Sequence, residues 1–151
     1  MVYRATPYRR IFILLFLIFI VTATTSLILG RAIDPSRLVL MILLFLPIFI
    51  SFRFEINDDR LTYEIYYSKL RIHEKIVRVN DIQKIMFKRV GFKQSGAVIK
   101  LKSGFNIRVY LFKPKRIYQD LDDFAERYEV SKNKTEDYLI LEKMNRKKVI
   151  L

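Results

Sequence analysis

The chain has 151 residues, 52% of them hydrophobic, yet it carries 28 Lys/Arg against 15 Asp/Glu, a net charge of +13. Its length fits one modest folded unit. The absence of cysteine excludes disulfides and thiolate-ligated metal, and a single histidine argues against a histidine metal cluster or a His-based triad.

The charges are segregated along the chain. Residues 11–30 and 38–52 carry none, whereas residues 53–151 hold 23 basic against 14 acidic residues, a net +9. Residues 1–10 read as a basic N-terminal segment, with Arg4, Arg9 and Arg10. Residues 11–53 read as a transmembrane helical hairpin, its helices at 11–30 and 38–52. The first run is 20 residues, about 30 Å of helix and the thickness of a hydrocarbon core. The second is shorter, and Arg53 is expected to snorkel at its end. Pro47 would kink it, which membrane helices tolerate. Asp34-Pro35 marks the turn between them. Thr22, Thr24, Thr25 and Ser26 suit a helix–helix seam, or merely lower the hydrophobicity. A cleaved signal peptide is a competing reading of residues 1–30, but the apolar run is long for one and a second follows it. Arg9, Arg10 and Arg53 flank the hairpin, so the positive-inside rule predicts both termini in the cytoplasm and RAIDPSR outside.

From residue 54 the pattern alternates with period two. Leu61, Tyr63, Ile65 and Tyr67 predict a half-buried strand, and Asn57-Asp58-Asp59 a turn before it. Further strands are predicted in LRIHEKIVRV and DIQKIMFKRV. AVIKLK and FNIRVYLF form a hairpin about Ser103-Gly104, with Ile99, Leu101, Ile107, Val109 and Leu111 on one face. Ile117, Leu121, Phe124, Ala125 and Tyr128 then recur at helical spacing after Pro114. Residues 54–130 therefore read as six or seven antiparallel strands plugged by one amphipathic helix. Residues 131–151 form a basic tail that is a short helix capped by Thr135, or a strand.

Two apolar helices, then F-x-I-N-D-D-R-L at 54–61 and V-x-V-N-D-I-x-x-I at 77–85, resemble the bacterial pleckstrin-homology-like membrane proteins. The matching positions are Phe54, Ile56, Asp58, Asp59, Arg60, Leu61, Asp81, Ile82 and Ile85. The resemblance implies an α+β fold: a membrane hairpin followed by a curved antiparallel sheet or barrel capped by a C-terminal helix. It implies no catalytic residue and no cofactor.

Lys88, Arg89 and Lys93 on one loop and Lys113, Lys115 and Arg116 on another are candidate contacts to an anionic surface. Asp120, Asp122, Asp123 and Glu126 cluster on one helix and read as a solvated face. His73 reads as a surface residue. Ile72, Val79, Tyr110 and Phe112 are candidates for an exposed apolar edge. The expected function is a non-enzymatic, membrane-anchored binding or scaffold module. Its partners are membrane lipids, a protein partner or anionic headgroups, and another copy of itself; nucleic acid is not an expected partner. The alternative is an immunity or surface-defence protein that intercepts a peptide toxin with its domain outside the cell.

Overall fold

The computed structural model describes residues 1–6, 9–30, 34–91 and 94–149. Strand β1 (Val2–Ala5) leads into helix α1 (Arg9–Ile28). Helix α2 (Pro35–Phe45) returns, tightens into a 3₁₀ turn over Leu46–Phe49, and passes directly into β2 (Ile50–Ile56). Strands β3 (Arg60–Tyr67), β4 (Leu70–Arg78), β5 (Ile82–Val90), β6 (Gln94–Leu101) and β7 (Ile107–Tyr110) follow. Helix α3 (Ile117–Arg127), a short β8 (Lys132–Lys134) and α4 (Glu136–Val149) complete an α+β chain.

The strands form two four-stranded sheets, ordered β1-β2-β3-β4 and β7-β6-β5-β8. All pairings are antiparallel except β8 with β5. The sheets meet where Arg4 and Lys113 exchange backbone hydrogen bonds of 3.3 and 2.9 Å. Phe54, Leu61, Ile85, Phe87, Ile99 and Val109 fill the space between them. Helix α3 covers that core with Ile117, Leu121, Phe124 and Ala125, the spacing read from the sequence. Of the two alternatives for the tail, the helix after Thr135 forms as α4 and takes in residues 138–143, the candidate strand; β8 is a different segment, Lys132–Lys134, ahead of it. α4 follows Thr135, but the Thr135 hydroxyl finds no hydrogen-bond partner among the described residues. α4 is held instead by Tyr138 and Leu141, both buried, with the Tyr138 ring 5.5 Å from Phe87.

Three sequence expectations change. Residues 2–5 are not a tail. They pair with β2 from Val2↔Glu55 to Ala5↔Phe52, burying Tyr3 and Ala5. The second apolar run is not helical to residue 52, because Pro47 stands in the 3₁₀ turn and the strand begins at Ile50. Leu111 does not continue the inward face of β7. Its φ of +63° turns the chain, so Phe112 is the buried residue and is not part of an exposed edge.

α1 is long and apolar enough to cross a membrane, and no residue in it is fully buried. Its half-buried positions are Phe12, Phe16, Phe19, Ala23 and Ser26, spaced alternately by four and three. That spacing places them on one helix face. Across it, the Phe16 and Phe45 rings lie 5.4 Å apart, and Arg37 donates to the Ser26 hydroxyl at 3.0 Å. Thr22, Thr24 and Thr25 donate to carbonyls of their own helix and face outward. Of the four hydroxyl residues, only Ser26 belongs to the seam.

The burial of Tyr3 makes the strand before α1 part of the core. Tyr3→Ala is expected to cost on the order of 3 kcal/mol, read as a lowered midpoint of denaturant unfolding of the purified chain. Arg4→Ala, at an exposed position, is expected to change it little.

Candidate functional site

The junction of helices and sheet brings one set of residues together. Ser68 donates its backbone N–H to the Phe49 carbonyl at 2.8 Å, and the Phe49 and Tyr67 rings lie 5.8 Å apart. The β3–β4 turn is therefore seated on the end of the helical hairpin. The register runs Ile50↔Tyr67↔Leu70 and Ser51↔Tyr66↔Arg71, so Leu70 and Arg71 lie level with the first two residues of β2, with Lys69 and Ile72 on either side of them. Leu70 is 72% exposed and Ile72 59% exposed. This basic-apolar rim was only partly legible in the sequence, where Ile72 was picked out and its neighbours were not. The register that aligns them with the helix end is long-range.

The outer face of the first sheet carries a charged row. Arg4, Arg53, Glu64 and Glu74 are cross-strand partners on four successive strands. Glu64 is buried. Arg71 Nη1 approaches it at 3.2 Å and Arg53 Nε at 3.5 Å, and the Tyr66 hydroxyl donates to it at 3.2 Å. Arg71 also reaches Glu74 at 3.0 Å, which offsets the like-charge pair. Arg53 thus sits inside the sheet as an ion-pair partner of Glu55 and Glu64, and does not snorkel at a helix end. Arg9 and Arg10 open α1 and are exposed.

A cavity of about 180 Å³ opens at the seam of the two sheets, lined by Phe52, Tyr63, Val90, Arg108, Tyr110, Leu111 and Phe112. Phe52 and Tyr63 stack at 6.0 Å between ring centroids. Across the second sheet, Lys88, Gly96 and Tyr110 form a row, and Lys88 Nζ stands 5.5 Å over the Tyr110 ring. Gly96 makes this possible. A Cβ there would lie 2.8 Å from Cδ1 of Tyr110 and closer still to Val90.

A second cavity, of about 330 Å³, lies at the other end of β2. It is lined by Ile56, Asn57, Asp58, Arg116, Asp120, Asp123 and Arg127, among others. The two basic loops singled out in the sequence are therefore not one surface. Lys88 approaches the seam cavity through the Tyr110 ring, whereas Arg89, next along β5, donates to the Gly91 carbonyl at 3.1 Å. Arg116 lines the far cavity and pairs with Asp120 at 3.3 Å. Lys113 forms the inter-sheet bridge through its backbone, and Lys115 is exposed beside it. Lys93 lies outside the described residues.

The positions that carry the resemblance lie in the core or in turns and strand ends. Phe54, Leu61, Ile82 and Ile85 are core, and Ile56 packs against it. Asp58 pairs with Arg127 at 3.8 Å, and Arg60 opens β3. The Asp59 carbonyl accepts from Val79 N–H at 3.3 Å. Asp81 accepts from Arg78 N–H through its carboxylate and from Lys102 N–H through its carbonyl.

Three of the four helical carboxylates, Asp120, Asp122 and Glu126, have cationic partners, and Asp123 is exposed. Asp120 accepts from the Tyr3 hydroxyl. Burial, with Asp120 adding to it, pushes that phenol up to about 12. Asp122 is opposed by burial, but Lys132 and Lys134, each 2.7 Å away, more than offset this and hold its carboxyl below the ordinary value. His73 is exposed on β4. Among the described residues no group of His, Asp or Glu is arranged to hold a metal ion. No protein-family model, curated protein or solved structure matches the chain.

Two outcomes follow from this geometry. Gly96→Ala forces Val90 and Tyr110 apart and is expected to cost about 1–3 kcal/mol, measured by thermal or denaturant unfolding. A lowered folded-state pKa stabilises above the ordinary carboxylate value, near pH 4, and the gain is lost as pH falls through the lowered value. Asp122→Asn is therefore expected to lower the unfolding midpoint at pH 6–8 and to lose less of it on acidification below about pH 4 than the parent chain.

Proposed function

We propose that the chain is a membrane-anchored, non-enzymatic binding module: a two-helix anchor carrying a pleckstrin-homology-like domain held against the cytoplasmic membrane face. The observation that carries this reading is the pairing of β1 with β2. The segments before and after the helices are neighbouring strands of one sheet, so both ends of the hairpin lie on one side of any bilayer that it enters. α1 rises about 30 Å, and α2 with its 3₁₀ turn about 24 Å. The second length is short of a hydrocarbon core, and local thinning can accommodate it. Outward-facing Ile, Leu and Val along both helices would otherwise face water.

The basic flanks Arg4, Arg9 and Arg10 support a cytoplasmic domain under the positive-inside rule. The rim suits the interface, with Leu70 and Ile72 at headgroup level and Lys69 as a cation for acidic lipids. Two sheets meeting at a corner, with α3 over the core, support the pleckstrin-homology-like reading of the motifs. The ligand of such a module is a protein partner or an anionic lipid surface.

The test uses the absence of cysteine. Single-Cys variants at Ser36 and Ser131 are treated on intact cells with a membrane-impermeant thiol reagent. Labelling of Ser36→Cys alone is the expected result. Labelling of Ser131→Cys alone would put the domain outside, as a toxin-intercepting protein requires. Equal labelling of both would contradict the crossing hairpin.

A further inference from the structure

We propose that the seam cavity binds the chain of a single-chain anionic amphiphile, of the fatty-acid class, with its acidic head at Arg108 and Lys88. The inference rests on the membrane-face reading above and goes beyond it by naming a site and a ligand class. The cavity walls are aromatic and aliphatic: Phe52, Tyr63, Val90, Leu111 and Phe112. The cation in its lining is Arg108, and Lys88 Nζ stands over the Tyr110 ring at its edge. An apolar slot with a guanidinium at its margin matches a ligand with one alkyl chain and a carboxylate, which Arg binds through two parallel hydrogen bonds.

Size narrows the choice. About 180 Å³ is room for roughly six water-sized groups. One end of one chain fits, and the paired chains of a phospholipid do not. Position supplies the source. Phe52 is two residues beyond Ile50, where the helical hairpin ends, a distance of about 7 Å along the strand. Single-chain amphiphiles leave a bilayer far more readily than two-chain lipids, because each buried methylene adds about 0.8 kcal/mol to retention.

The backbone at the site also departs from regular structure. Leu111 holds a φ of +63°, an uncommon state for a bulky residue and one that occurs at ligand clamps. It directs Phe112 inward and leaves Leu111 on the cavity wall. Gly96 lets Val90 and Tyr110 approach each other.

The experiment is photo-crosslinking of the full chain in phosphatidylcholine nanodiscs, using decanoate that carries a diazirine near its chain end. Labelled residues are mapped by peptide mass spectrometry. Saturable labelling at Phe52, Tyr63 or Phe112 is expected. It should be competed by excess decanoate but not by decanol, and reduced at least fivefold in both Arg108→Gln and Val90→Phe. Arg108 is exposed, so its variant reads the head contact even if the cavity-filling variant fails to fold. Competition by lysophosphatidylglycerol as strong as by decanoate would overturn the preference for a carboxylate head; weaker competition is expected. Labelling confined to α1 and α2 would overturn the cavity site while leaving the membrane reading standing. Equal labelling in Arg108→Gln, or equal competition by decanol, would overturn the recognition of an acidic head.

Discussion

The rest of the structure depends on the pairing of β1 with β2. Val2–Ala5 before α1 pair with residues 52–55 after the 3₁₀ turn, so the helices are an excursion that begins and ends in one sheet. β1 also links the two sheets through Arg4 and Lys113. It contributes Tyr3 to the core and, through the Tyr3 hydroxyl, ties the first strand to α3 at Asp120. A domain attached at two points of its sheet cannot swing as one on a single tether can. This supports the proposal of work done at the membrane face rather than at a distance from it.

The same constraint orders the surface. Residues level with Ile50 are near the helices, and residues level with Ile56 are about 20 Å of strand away. By that measure the Lys69–Ile72 rim and the seam cavity belong to the near end, and the Arg116 cavity to the far end. Positive charge alone does not separate these regions. In the sequence Lys113, Lys115 and Arg116 are as attractive as Lys88 and Arg89. The outer face of the first sheet adds arginines that are occupied with Glu55, Glu64 and Glu74.

Much of the fold was legible because it is written in local periodicity. Leu61 to Tyr67, the β6–β7 hairpin and the face of α3 all follow period-two or helical patterns. β1 was hidden because VYRA is four residues long, half of them exposed, and adjoins a much stronger apolar signal. β8 is Lys-Asn-Lys, with no apolar pattern at all; its place comes from parallel pairing with β5. The run to residue 52 looked helical because apolar content does not distinguish a buried strand from a helix. The inward turn of Phe112 depends on one positive φ that no periodicity announces. Cavities are less legible still, since Phe52, Val90 and Leu111 meet only through tertiary closure.

The most direct measurement is cross-linking of a Val2→Cys, Glu55→Cys double variant in native membranes. The residues on either side, Met1 and Ile56, exchange both backbone hydrogen bonds, so Val2 and Glu55 form a non-hydrogen-bonded pair. Such pairs bring Cα atoms to about 4.5 Å, within disulfide range. Rapid formation of a bond within one chain, detected as a linked peptide pair under mild oxidant, is the result this account predicts. Failure to link, or links between chains only, would contradict it.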